Sequence, residues 1–167
     1  MGTEPATLRD LRPEDVPIIV EIAVAAWQPI YGCFRETMGD ALFLSLFPDW
    51  QEQKASQIRQ ACDPLSRLAM QVIVAQRSGC IVGFVTFRVD ADTCVGEIGN
   101  NAVRDEHRGQ GIAPAMYEAV FQRMREQGMR HVRVHTGLDP SHAPARRAYA
   151  KAGFDVGLPS VDYFRKL

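Results

Sequence analysis

The chain has 167 residues, 46% of them hydrophobic, with 19 basic against 20 acidic side chains for a formal net charge of −1. That length and apolar content support a single domain over residues 1–167 with its own core and exclude a disordered chain. A charge so near zero gives no global field for nucleic acid or a membrane surface, and neither is expected as a partner.

The first element is a short strand, Thr7 to Arg9. Pro13 and Pro17 mark a helix start, because proline is tolerated in a first helical turn. Val16, Ile19, Val20, Ala23, Ala26 and Trp27 then recur at helical spacing, and Pro29 is expected to close that helix. Residues 34 to 62 read as two further helical pieces broken at Pro48, with Asp49 capping the second. Trp27, Tyr31, Phe34 and Trp50 in this region are read as core rather than binding site. The period then changes to that of strands. Val72 to Ala75 and Ile81 to Val89 flank Arg77-Ser78-Gly79, a hairpin signal, and Val95 to Val103 is the third strand of the meander. Gly96, Gly99 and the pair Asn100-Asn101 are poor strand formers, so a distortion that frees backbone groups is expected there.

A long helix follows from about Gly109 to Gln127, with Ile112, Ala115, Met116, Ala119, Val120 and Met124 as its buried stripe and Gly128 as its stop. His131 to Thr136 is a strand. Ser141 is expected to cap a shorter helix in which Ala145, Ala148, Tyr149 and Ala152 share one side. Phe154 to Val156 and Val161 to Phe164 read as a closing hairpin that two copies could pair across in a homodimer. The strand–helix–strand unit from Val95 to Thr136 should make its two strands parallel by a right-handed crossover. The fold class is therefore α+β, a mixed sheet of about six to seven strands with helices on both faces.

Cys33, Cys62, Cys80 and Cys94 have no CxxC-type spacing, so free buried thiols in a reducing compartment are expected. No apolar run reads as membrane-spanning, no signal pattern opens the chain, and a soluble cytoplasmic protein is the expectation.

The most informative stretch is Arg108-Gly109-Gln110-Gly111-Ile112-Ala113, where a strand ends, a polar loop intervenes and two glycines open the long helix. Free N–H groups of a first helical turn, glycines that allow close approach, and a guanidinium together make a site for phosphate. Ligands of such sheets lie beyond the carboxyl ends of the strands, beside that helix N-terminus.

These residues resemble the GNAT superfamily of acetyl-CoA-dependent N-acetyltransferases. The family's phosphate loop, Gln/Arg-x-x-Gly-x-Gly/Ala, is matched from Arg108 to Ala113, and Val103 stands where the family usually ends the preceding strand in valine. A second motif, Asn-x-x-Ala-x-x-x-Tyr-x-x-x-Gly-Phe, is matched at Ala145, Tyr149, Gly153 and Phe154, with His142 in place of the asparagine. The resemblance implies a GNAT-like fold, acetyl-CoA as co-substrate, an amine acceptor, and direct transfer with no covalent acetyl-enzyme. His131 and His135 share one side of their strand but have no evident further ligands, so no metal is expected. Its cofactor-binding positions are Val103, Arg108, Gly109, Gln110, Gly111, Ile112 and Ala113. Tyr149 is implied as the general acid for the thiolate. Glu97 stands in a context similar to the glutamate-bearing strand of the histone-acetylating branch and is the candidate base, with His135 as rival. Arg146, Arg147 and Lys151 are either contacts to the coenzyme's 3′-phosphate or a solvated face. Glu36, Asp40 and Asp139 are candidate attractors for a cationic acceptor, or equally solvated loop charges. A non-catalytic acyl-CoA-binding module would share the cradle without needing the acid or base. A nucleotide binder of Rossmann type is disfavoured by the meander that precedes the glycine loop.

Overall fold

The computed structural model describes residues 4–167. Five strands among them form one sheet in sequence order: β1 (Thr7–Asp10), β2 (Gln71–Arg77), β3 (Cys80–Asp90), β4 (Val95–Val103) and β5 (His131–Val134). The first three pairings are antiparallel, and β4 runs parallel to β5 with Val95 opposite His131 and Ile98 opposite Val134. The β2–β3 hairpin turns at Ser78-Gly79, both at positive φ, as a two-residue turn between right-twisted strands requires.

Helices cover both faces, as expected. One face takes α1 (Val16–Met38) and α3 (Trp50–Cys62), bridged by α2 (Asp40–Leu46). Ile19, Ile22, Ala23 and Ile58 bury there against Val72, Val74, Phe84 and Ala102. The opposite face takes α4 (Ile112–Glu126) and α5 (Ala143–Lys151), with Ile112, Met116, Tyr117, Val120, Met124 and Tyr149 packed on Ile73, Val85, Phe87, Ile98 and Val103. Tyr31 joins the three N-terminal helices: its ring stacks on Trp50 at 4.4 Å and meets Phe34 and Phe47 edge-on at 5.8 and 5.3 Å. Tyr31, Phe34 and Trp50 pack on one another in that cluster but are only half-buried rather than core, and Trp27 lies apart from it, against Lys54.

Several expectations are corrected. Pro29 does not end α1, which continues to Met38. The ring removes the hydrogen bond to the Ala25 carbonyl, but Ala25 and Pro29 are both exposed, so the freed carbonyl faces water rather than the core. Because of that continuity, Pro13–Met38 is long and apolar enough to cross a membrane by length and composition, although Ile19, Ile22 and Ala23 are spent on the sheet. The closing hairpin is absent: no strand follows β5, giving five rather than six to seven, and Val156, Leu158 and Tyr163 are more than nine-tenths exposed. A strand needs a ladder partner as well as apolar residues, and Gly157 and Pro159 interrupt the segment at its centre. Asp139, not Ser141, caps the turn before α5, its carboxylate accepting from the Ser141 N–H at 3.0 Å. Ala115 is exposed, and Tyr117 takes its place in the stripe of α4. The cysteines are free, but Cys80 is exposed and the other three are only partly buried.

Candidate active site

Three features meet at the carboxyl end of β4. The first is a bulge. Val85 pairs with Asn101 and Phe87 with Ile98, so Thr86 of β3 faces both Gly99 and Asn100. A side chain at Gly99 would run into the Thr86 hydroxyl and Met70, which explains the glycine. The Thr86 hydroxyl accepts from the Asn100 N–H at 2.8 Å and donates to the Asn100 carbonyl at 3.2 Å. The expected distortion is present, but Thr86 engages the backbone of Asn100. The edge freed for a ligand lies elsewhere: β5 pairs with β4 only as far as Ile98, and Gly99 to Val103 run on with no β5 partner. Beside this opening, just past β5, the hydroxyl of Thr136 is buried with no partner among the described residues.

The second feature is the turn into α4. Gly109 and Gly111 sit at φ 72° and 79°, where a Cβ would be strained although the space around them is open. Gly111 is the N-cap of α4. Ala115 N–H returns to the Gly111 carbonyl and Arg108 N–H to the Asp105 carbonyl, while the N–H groups of Gly109, Gln110, Gly111, Ile112 and Ala113 take no protein partner among the described residues. Five consecutive donors at the positive end of a 15-residue helix fit an anion as large as a diphosphate. The side chains of this loop are occupied elsewhere. Gln110 accepts from Arg77 and donates to the Glu106 carbonyl. Arg108 donates to the Val103 carbonyl at 3.2 Å and pairs with Asp105 at 2.8 Å. Val103 and Ile112 point into the core. The predicted loop residues are thus brought together as a main-chain cradle, with Arg77 as an outside support that the motif did not reveal.

The third feature joins α4, α5 and β4. The Tyr117 hydroxyl donates to Asn101 Oδ1 at 2.8 Å, and Asn101 Nδ2 donates to the Tyr149 oxygen at 3.0 Å. Accepting that bond leaves Tyr149 its own O–H to give to something else. Burial raises the Tyr149 pKa; the bond from Asn101 Nδ2 pulls it partly back, and the group stays above its ordinary value. Tyr149 is therefore a neutral donor at pH 7, as a general acid must be.

Glu97 lies on the opposite face of the sheet from this network, with its carboxylate Oε2 between Arg133 at 2.5 Å and Arg88 at 2.8 Å. Burial pushes its pKa up, but the hydrogen bonds and charges of Arg133 and Arg88 outweigh that and hold it below the usual glutamate range. His135 is exposed just past β5. His142 Nδ1 is bound to Asp139 Oδ2 at 2.5 Å, which leaves only Nε2 for a ligand, and its ring stands 6.1 Å from Phe34. Asp139 is committed to Ser141 and His142, and Arg146 donates to the carbonyls of Gly137 and Asp139, so these serve the loop rather than a ligand. Asp40 is paired with Arg35, and Arg147 and Lys151 are exposed. Among the described residues no group of three or more His, Cys, Asp or Glu side chains could hold a metal.

A main-chain anion cradle on a helix N-terminus thus stands beside an opened parallel strand pair and a neutral tyrosine hydroxyl. The chain's residues 32–154 match the model of the acetyltransferase (GNAT) family, and the chain belongs to that family. Among solved structures it is similar in fold to the PaiA N-acetyltransferase of Thermoplasma acidophilum in complex with coenzyme A, with TM-score 0.68, 17% identity and 92% of each chain covered. It is also similar to the aminoglycoside N-acetyltransferase AAC(6')-Iy in complex with CoA, with TM-score 0.61, 14% identity, and 100% of this chain and 98% of that one covered. A third is the ribosomal-protein-alanine N-acetyltransferase of Brucella melitensis biovar Abortus 2308, with TM-score 0.63, 18% identity, and 96% and 100% covered. No curated protein matches the chain in sequence. At these identities the likeness is one of fold.

Proposed function

We propose that this acetyltransferase moves the acetyl group of acetyl-CoA onto an amine by direct attack. The observation that carries the reading is the run of five unpartnered N–H groups from Gly109 to Ala113. Acetyl-CoA supplies an activated thioester carbonyl and a diphosphate for the cradle to grip. The stretch of β4 past Ile98 that β5 leaves uncovered is suited to an amide-bearing arm, which pairs with a strand edge as another strand would; within it Thr86 holds the Asn100 backbone and Arg108 the Val103 carbonyl. As the amine nitrogen bonds to the carbonyl carbon and the C–S bond breaks, the Tyr149 O–H gives its proton to the departing thiolate. Asn101 Nδ2 stabilises the tyrosinate left behind. The amine's proton goes to Glu97, directly or through water. Glu97 is ionised throughout neutral pH, and its two arginines are more than half exposed, so its carboxylate is open to the proton that the nitrogen sheds once the free amine has added to the carbonyl. The acceptor enters on the α1 side, where Phe34 and His142 approach.

A broad amine screen with free-thiol detection tests the reaction. Within it, Glu97→Gln should lower kcat/KM for the acceptor by roughly 10- to 100-fold with the KM for acetyl-CoA unchanged. Because the arginines hold the Glu97 pKa down, the neutral-pH profile of the wild type should follow the acceptor's own deprotonation. An unaltered kcat/KM in Glu97→Gln removes Glu97 from the reaction and gives the proton to solvent.

The exposed apolar C-terminal segment and the outer edge of β5 also suit a second copy of the chain, since both are unsatisfied in one molecule and an open edge invites another strand. Light scattering should give a dimer mass; a monomer at every concentration overturns that reading.

A further inference from the structure

Lys54 is the anomalous residue of this fold. It lies on the buried side of α3 and is 5% exposed, yet among the described residues no carboxylate pairs with it. Its Nζ donates to Asn100 Oδ1 at 2.7 Å and to Gln57 Oε1 at 2.8 Å, and it stands 3.7 Å from the centroid of the Trp27 ring. Two carbonyl oxygens and the negative face of an indole account for the three protons of an ammonium. Burying a cation without a counter-ion is unfavourable, and an apolar residue of similar length would fill the place more cheaply. Burial accordingly pulls the Lys54 pKa down to about 7. Nothing in the packing of α3 calls for a lysine here. Of its contacts, the one that ties the lysine to the sheet is the bond to Asn100.

Asn100 is the bulged residue of β4. Thr86 holds its backbone from β3, and Lys54 holds its side chain from α3. The next residue, Asn101, turns to the opposite face and hydrogen-bonds to Tyr149 and Tyr117. The side-chain clamp on Asn100 therefore fixes the backbone from which the Tyr149 contact projects. We propose that Lys54 is a positioning residue of the transferase: by anchoring Asn100 it sets the β4 bulge, and through Asn101 it aligns the hydroxyl of Tyr149 with the departing thiolate. Lys54 touches neither Tyr149 nor the cradle, and the N–H and carbonyl of Asn100 are held by Thr86 rather than offered to the coenzyme arm, so its effect falls on the chemical step rather than on coenzyme binding. The inference rests on acetyl transfer at this site and is judged in preparations whose wild type turns over.

The test is a double-mutant cycle of Lys54→Met and Asn100→Ala, each variant first shown to melt cooperatively. Each single variant should lose about tenfold or more in kcat, with the KM for acetyl-CoA within about twofold of wild type. The double variant should lose little more than either alone, because both remove one link. The side-chain amide signals of Asn101 should shift in the nitrogen–proton spectrum of both variants without any ligand. A merely structural lysine would lower melting temperature while leaving kcat and those signals in place. A kcat within about twofold of wild type in Lys54→Met, unmoved Asn101 signals, or fully additive losses in the cycle overturn the proposal. Should Lys54→Met not fold, Asn100→Ala alone decides it by the same kcat and spectral criteria. A wild type that acetylates no amine defeats the transferase reading itself, a separate outcome.

Discussion

Tyr149→Phe is expected to lower kcat by roughly 10²-fold while leaving coenzyme affinity within about twofold. The substitution removes one oxygen from a residue whose ring stays packed on Tyr117 and Phe154. It leaves the cradle untouched. The loss should lie at the lower end for general-acid catalysis, because a thiolate with a pKa near ~8.5 is already a fair leaving group. Burial keeps the Tyr149 pKa above its usual value, so its acid form persists throughout neutral pH, and its contribution to the rate should vanish only as pH rises above that raised pKa. Free-thiol release checks kcat and calorimetry checks affinity. Intact affinity with lost turnover separates an enzyme from a module that only binds the coenzyme. Turnover within twofold of wild type assigns the thiolate's proton to another donor.

Gly111→Val should weaken coenzyme binding by roughly 10- to 100-fold. Gly111 is at φ 79° and caps α4, and a β-branched residue forced into that region costs about 1–3 kcal/mol, each 1.4 kcal/mol being tenfold in affinity. Relaxing that strain would rotate the Gly111 and Ile112 N–H groups away from a common focus. The space at Gly111 is open and the residue exposed, so the loss should fall on binding more than on folding. A melting temperature close to wild type, beside a much weaker calorimetric titration, is the expected pair of results. Equal affinity for wild type and Gly111→Val would mean that the helix N-terminus does not hold the coenzyme.

What could be read from the sequence was what depends on local backbone. The Arg108-to-Ala113 turn needs glycine at positive φ, and that requirement is written in the residues themselves. The hairpin at Ser78-Gly79 and the stop at Gly128 were legible for the same reason. The bulge was foreshadowed by Gly99 and the two asparagines, although its partner was not, because Thr86 is 14 positions away and reads as an ordinary strand residue. The Tyr117–Asn101–Tyr149 network was missed because its bonds span 16 and 48 positions. A wider stripe on α4 would have included Tyr117 next to Met116 and Val120. Lys54 gave a usable signal: it stands four and seven positions before Ile58 and Ala61, on the apolar stripe of α3. The continuation of α1 through Pro29 and the absent closing strands were misread because both turn on surroundings, solvent access for one carbonyl and a ladder partner for the other. Glu97 was placed in β4 correctly, but no local pattern announces that Arg88 and Arg133 will hold its charge down.

Calorimetric titration of the wild-type protein with coenzyme A reaches the root of the account. The main-chain cradle predicts a single saturable site, accompanied by a rise in melting temperature and lost in large part in Gly111→Val. No heat and no change in melting temperature at saturating coenzyme A would contradict it.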